Sequence, residues 1–127
     1  MAYYFAKSLN LPFDEAVSKT ISALKEHGFG VLTRIDVKNT LKEKIGIEFR
    51  SYVILGACNP RMAHQAFQAE DKIGTMLPCN VIIQQKDGTS EVAAVDPVAS
   101  MQAISNTALG EIAAKVREDL KAVVQSL

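Results

Sequence analysis

The dipeptide Asp87-Gly88 constrains the fold of this chain more than any other feature of its sequence. It separates two segments of strand character, residues 77–85 and 91–95. An Asp-Gly pair between such segments is typical of a two-residue turn that joins antiparallel strands. Parallel strands need a much longer crossover connection. The dipeptide therefore favours a sheet that is at least partly antiparallel.

Three further strands are predicted upstream of this hairpin. Residues 2–6 are short and rich in aromatic side chains, and residues 29–37 alternate with a period of two. Residues 51–57 are almost wholly apolar, which is typical of a strand buried on both faces. The chain therefore contains five predicted strands.

Helices are predicted between the first four strands. The first helix starts at Pro12, and His27 in its last turn is interpreted as a C-terminal cap residue. A short second helix takes Asn39 as its cap. The third takes Asn59 as its cap and Pro60 as its first residue, and we expect it to close at residues 70–74.

The last helix is predicted to be the strongest. Asn106 supplies its cap, and apolar residues recur at intervals of three and four from Leu109 to Leu127. The resulting order β-α-β-(α)-β-α-β-β-α predicts an α+β fold of two layers, with helices packed on one mostly antiparallel sheet. A three-layer parallel sheet is the alternative. We expect residues 1–127 to form a single domain, because this length supports one core.

Charge and hydropathy exclude several classes of partner. Lys plus Arg and Asp plus Glu number 14 each, so the sequence predicts no surface for nucleic acid or for an anionic membrane. Its apolar runs have the length of strands, and its first residues lack the pattern of a signal peptide. We therefore expect a cytoplasmic protein in which both cysteines are free thiols.

The two cysteines are the best candidates for a functional site. Cys58 is expected where an apolar strand meets the start of a helix, a place where backbone N–H groups and the helix dipole lower a thiol's pKa. Arg61 and His64 follow on that helix and would add positive charge. Cys79 would lie near Cys58 if their strands are neighbours. The alternative is that both are small buried residues at strand ends.

Each cysteine is followed by an asparagine, and Asn59 and Asn80 are candidates for orienting a ligand. Competing interpretations are a helix cap for Asn59 and a turn residue for Asn80. The sequence predicts no metal site, because it has no CxxC and no histidine pair at ligand spacing. It predicts no cofactor either. The scattered glycines form no phosphate-binding loop, and the absence of a nucleophile motif favours a binding protein over an enzyme.

Five short motifs resemble those of a known family and occur in the same order at similar spacing. They are Asp36-Val37-Lys38, Leu41-Lys42-Glu43-Lys44-Ile45-Gly46, Gly56-Ala57-Cys58-Asn59-Pro60, Leu77-Pro78-Cys79-Asn80-Val81 and Asp96-Pro97. The chain resembles the domain-of-unknown-function 302 family of bacteria and archaea over nearly its whole length. The resemblance implies a TATA-binding-protein-like fold and a homodimer. It implies no established activity.

Three functional hypotheses remain. In the first, a small dimeric binding or carrier protein uses Cys58 and Cys79 to contact a ligand or a sulfur species. In the second, a small molecule binds in the groove between the sheet and the final helix, with the cysteines as mere lining. The third is a purely structural or assembly role. For the dimer we expect a surface formed by Tyr3, Tyr4 and Phe5 at a sheet edge together with the final helix. The alternative is a monomer in which these aromatic side chains fill the core.

Overall fold

The computed structural model describes residues 2–127 as one five-stranded sheet with helices packed on one side of it. The strands are β1 (Tyr4–Leu9), β2 (Gly30–Asp36), β3 (Tyr52–Cys58), β4 (Cys79–Lys86) and β5 (Thr89–Val95). The α-helices are α1 (Phe13–Glu26), α2 (Val37–Ile45), α3 (Pro60–Ala69), α4 (Pro97–Ser100) and α5 (Thr107–Ser126). A 3-10 helix, Asp71–Met76, connects α3 to the segment before β4.

Every pair of neighbouring strands is antiparallel, and the order across the sheet is β1-β5-β4-β3-β2. The β4–β5 hairpin turns at Asp87 and Gly88, whose φ angles are 52° and 79°. A tight hairpin turn with positive φ at both central residues suits Asp and Gly because both tolerate the left-handed region. The predicted α+β class and its antiparallel sheet are confirmed.

Most helix ends follow the predicted caps. The side-chain oxygens of Asn59 and Asn106 accept hydrogen bonds from backbone N–H groups at the starts of α3 and α5, and Pro60 is the first residue of α3. His27 is the C-terminal cap residue of α1, and its Nδ1 lies 2.8 Å from the carbonyl oxygen of Ala23. These ends are set by local hydrogen bonds that the sequence reveals directly.

Several predicted boundaries are wrong. Helix α2 begins at Val37, because Asp36 rather than Asn39 caps it. The Asp36 carboxylate accepts a hydrogen bond of 3.0 Å from the backbone N–H of Asn39. Strand β1 covers residues 4–9 rather than 2–6, because its polar second half pairs with β5 through the backbone. Helix α3 ends at Ala69, and a 3-10 helix follows where its continuation was expected.

The main core lies between the sheet and helices α1 and α5. Alternate residues of the central strands, among them Leu55, Val81 and Val92, are buried against Leu24 of α1 and Leu120 of α5. A second, smaller buried cluster joins α3, α5 and the segment after α4. In the part of the chain that the structure describes, residues 2–127, no helix is both long and apolar enough to cross a bilayer.

The two faces of the sheet are covered differently. One face carries the helix layer, and the opposite face is called the open face below. Phe5 is packed against the core, and the Arg117 guanidinium of α5 lies 5.2 Å from the centre of its ring. Tyr4 alternates with Phe5 along β1 and is 45% exposed. The structure thus divides the predicted patch of Tyr3, Tyr4, Phe5 and the final helix between the two faces.

Candidate functional site

An apolar cavity of about 260 Å³ lies at the end of the sheet where β3 finishes and β4 begins. Ala57, Cys58 and Cys79 contribute to its lining from these strand ends. Helices α3 and α5 form its walls, and residues around α4 close one side. The cavity is therefore framed by the two motifs that contain the cysteines.

The cavity exists because small residues face one another across the helix layer. Helix α3 contributes Ala63 and Ala66, and helix α5 contributes Ala113. Close-packed interiors leave few voids larger than a water molecule, so a space of this size reflects side chains too short to meet. Met62 and Met101 complete the walls with flexible thioether side chains.

The antiparallel register brings the two cysteines to this cavity. Strands β3 and β4 are neighbours, and Cys79 pairs with Ala57, the residue directly before Cys58. Cys79 is buried and Cys58 is half-buried, and both are free thiols. The residues that the sequence singles out on two separate strands therefore lie at one site.

Burial raises the pKa of both thiols. Desolvation raises the pKa of Cys58, and it raises the pKa of Cys79 to about 11, with the charge of Cys58 as a second cause. An apolar lining removes the hydration that a thiolate needs. This direction contradicts the activation predicted from the helix start, so both sulfurs are protonated near neutral pH.

Arg61 and His64 do not join the cysteines. Both are exposed on α3, and neither lines the cavity. Desolvation is the cause that shifts the pKa of Cys58, and neither cation contributes to it. The predicted cationic support for this thiol is therefore not part of the site.

The two asparagines are placed on different sides of the sheet. Asn59 lines the cavity while its Oδ1 accepts a hydrogen bond of 3.3 Å from the backbone N–H of Met62. Asn80 alternates with Cys79 along β4 and is exposed on the open face. Only Asn59 is thus placed to contact a molecule bound beside the cysteines.

Sequence reasoning missed the contribution of the C-terminal half of the chain. Pro97, Met101 and Ala113 line the cavity although none was a candidate residue. Alanines at buried positions of two helices, Ala66 on α3 and Ala113 on α5, were the sequence feature that could have indicated a cavity. Only the fold shows that these positions face each other.

A buried carboxylate holds this C-terminal wall in place. Asp96 accepts hydrogen bonds from the backbone N–H of Val98 at 3.0 Å and from Arg117 Nε at 3.1 Å. Its own backbone N–H donates to the carbonyl oxygen of Tyr3 at 2.7 Å. The Asp96-Pro97 motif therefore links α4 and α5 to the residue that precedes β1.

No charged side chain of residues 2–127 lines the cavity. Among the same residues, no three His, Cys, Asp or Glu side chains come together as metal ligands would. The polar groups in the lining are the two thiols and the amide of Asn59. Burying an unpaired charge here would be costly, so the site suits a neutral molecule.

Comparison with known proteins shows the family of this chain. The model of the family described as "Domain of unknown function DUF302" matches residues 5–127. The chain belongs to the DUF302 family. Among the solved structures, the uncharacterized conserved protein DUF302 from Bacillus stearothermophilus superposes with a TM-score of 0.92. The two chains are 29% identical, and the match covers 98% of each. A search of the curated proteins gives no match.

The two cysteine motifs of this DUF302 protein meet in space. Residues 56–60 span the end of β3 and the start of α3, and residues 77–81 lead into β4 beside them. Gly56 is needed at this contact, because a Cβ there would lie 2.7 Å from the Pro78 ring and would also clash with Thr33. The motif glycine thus permits the close approach of the segments that frame the cavity.

Proposed function

We propose that this DUF302 protein binds a neutral, largely apolar small molecule in the cavity between α3 and α5. The apolar lining of that cavity is the observation that carries the proposal. Each Å² of apolar ligand surface removed from water contributes about 25 cal/mol to binding. The cavity volume of about 260 Å³ exceeds the roughly 150 Å³ of an engineered cavity that binds benzene. A bicyclic aromatic molecule therefore matches its size.

The electrostatics of the lining support a neutral ligand. The thiols of Cys58 and Cys79 are protonated near pH 7 because burial raises the pKa of each. A carboxylate placed beside them would lose its hydration without gaining a cationic partner. The Asn59 amide is the strongest hydrogen-bonding group available, and it suits a hydroxyl or carbonyl on the ligand.

The convergence of the two cysteines supports a second candidate, in which a ligand binds through both sulfurs. This is the thiol-dependent function expected from the sequence. The two proposals predict different effects on ligand binding when the cysteine sulfurs are replaced. The variant Cys58→Ser/Cys79→Ser keeps the size of each side chain, so an apolar ligand still binds, whereas a ligand held through sulfur is lost.

Isothermal titration with 2-naphthol, a neutral probe, and 2-naphthoate, its charged analogue, tests the proposal. We expect saturable binding of 2-naphthol and at least tenfold weaker binding of 2-naphthoate. The variant Ala113→Leu fills the cavity and is expected to weaken 2-naphthol binding at least tenfold. Ala114→Leu adds the same side chain one residue further on the exposed side of α5 and leaves binding unchanged.

Equal binding to both variants would place the probe elsewhere and overturn the assignment of this cavity. Preference for 2-naphthoate would contradict its neutral character. Native mass spectrometry of the protein as purified adds a direct readout, because a copurified ligand should be absent from Ala113→Leu and present in Ala114→Leu.

A further inference from the structure

A second pocket lies beside the cavity, near the start of α5. Its volume is about 190 Å³, and it is bounded by α5 and by residues 98–104. Three residues, Met101, Leu109 and Ala113, line both the cavity and the second pocket. The two spaces therefore share one wall, which is called the partition below and consists of these three residues.

Met101 has the longest side chain of the partition and approaches α5 from the segment after α4. It is 9% exposed and belongs to the buried cluster that includes Ala66 and Ile73. Ala113 contributes only a methyl group, and Leu109 is part of α5 itself. Truncating a buried side chain leaves a void in its place. At Met101 that void would open on both sides of the partition and join the cavity to the second pocket.

We propose that Met101 is a specificity-determining residue that limits how large a ligand the protein can bury. This role rests on the proposed function, in which a neutral two-ring molecule occupies the cavity. At the exposed end of the cavity, beside Leu32 and Phe67, a third ring would stay in water and add little affinity. At the buried end it would have to pass the partition, and displacing Met101 would cost that side chain its contacts in the buried cluster. The wild-type chain therefore gains no affinity from a third ring.

Gly110 allows the second pocket to be closed without altering the cavity. It lines the second pocket but not the cavity. Its backbone N–H donates a helical hydrogen bond of 2.9 Å to the carbonyl oxygen of Asn106, and a Cβ at this position would have no neighbouring side chain or element within 4 Å. Glycine is also less favourable than other ordinary residues inside a helix. The substitution Gly110→Leu therefore adds a side chain that α5 tolerates and that occupies the second pocket.

Fluorescence titration with 2-naphthol and with 6-phenyl-2-naphthol, a longer neutral probe with the same hydroxyl group, tests this role. The chain contains no tryptophan, so the naphthol emission is recorded without tryptophan background. The wild-type chain is expected to bind the longer probe no more tightly than 2-naphthol. Met101→Ala is expected to bind the longer probe at least tenfold more tightly than wild type does, because the third ring enters the joined space, and to retain 2-naphthol binding.

Two double variants locate the third ring. In Met101→Ala/Gly110→Leu the second pocket is filled, so the gain for the longer probe should disappear. Met101→Ala/Gly110→Ala is the matched control, because it also replaces the helical glycine but leaves most of the pocket empty, and it should keep the gain. Gly110→Leu alone should leave 2-naphthol binding unchanged.

A milder substitution keeps the test available if Met101→Ala does not fold. Met101→Val retains more of the buried side chain and should show a smaller gain for the longer probe in the same direction. Circular dichroism checks that each variant is folded before it is titrated.

A wild-type chain that binds the longer probe at least tenfold more tightly than 2-naphthol would show that Met101 sets no limit. Folded Met101 variants that bind the longer probe no better than wild type would overturn the role of this residue. A gain that survives Gly110→Leu would overturn the joining of the two spaces. In each of these cases 2-naphthol still binds and the proposed function stands. If 2-naphthol does not bind the wild-type chain, the proposed function fails and the size limit fails with it.

Discussion

The two ends of the helix layer use the same secondary structure elements and pack them differently. Strand β3 supplies Leu55 to the main core, which is fully buried, and two residues later it supplies Ala57 to the lining of the cavity. Helix α5 likewise supplies Leu120 to the main core and Ala113 to the lining of the cavity. The cavity is therefore produced by side-chain size along continuous elements, not by a break in the fold.

This difference assigns separate roles to the two ends. The close-packed end contributes most of the contacts that stabilise the fold, because each buried aliphatic side chain there is surrounded by others. The cavity end has unfilled space, so each of its residues makes fewer contacts and contributes less to the stability of the fold. Similar substitutions at the two ends, compared by their effect on the free energy of unfolding, test whether the two ends have these separate roles.

The largest effect is expected from truncation in the close-packed end. Leu55→Ala should lower the free energy of unfolding by about 3–4 kcal/mol, because it opens a new void in a filled core. Met101→Ala, at the cavity, should cost about 2 kcal/mol, the low end for a buried methionine, because that side chain already borders empty space and has fewer contacts to lose. Urea unfolding monitored by circular dichroism measures both, and equal costs would contradict the difference in packing.

An intermediate effect is expected from pH, through the thiol buried beside the cavity. The pKa of Cys79 is raised from 9.0 to about 11 in the folded chain. Above about pH 9 the unfolded chain releases this proton while the folded chain keeps it, so stability is lost as pH rises towards 11. The full loss is roughly 3 kcal/mol for a shift of this size, and roughly 2 kcal/mol of it is reached by pH 10.5.

Unfolding at pH 8 and at pH 10.5 measures this loss, with Cys79→Ala as the comparison. That variant lacks the thiol, so its stability should fall less between the two values than that of the wild type. Identical pH profiles would show that the thiol is better solvated than its burial indicates.

The smallest effect is expected from adding side-chain volume at the cavity. Ala16→Leu, in the close-packed end, should cost about 1–3 kcal/mol through overpacking. Ala113→Leu should change the free energy of unfolding by less than about 1 kcal/mol, because its added carbons occupy existing space. Thermal unfolding compares the two variants, and a large cost at Ala113 would mean that the walls cannot accommodate a ligand of similar size.

The fold was largely predictable because its decisive signals are local. Asp87 and Gly88 specify their turn through φ angles that few residues adopt, and Asn59 with Pro60 specifies a helix start through one side chain and one ring. The start of α2 was misplaced for the same local reason. Asp36 and Asn39 are both good caps, and only the backbone geometry distinguishes them.

The site was less predictable because its properties depend on residues distant in sequence. The neighbouring helix start favours a lowered pKa for Cys58, but the lining brought by other elements reverses the direction through desolvation. The cavity itself depends on Ala66 and Ala113 facing each other, which the helical period cannot show.

The buried carboxylate of Asp96 has a mechanical consequence for ligand selection. Hydrogen bonds of its backbone and side chain fasten Tyr3 just before β1, the start of α4 and the middle of α5 to one residue. Displacing α5 outwards would leave a buried charge without its partner, which is costly. This wall of the cavity is therefore stiff, so the ligand proposed above would have to match the existing shape of the cavity.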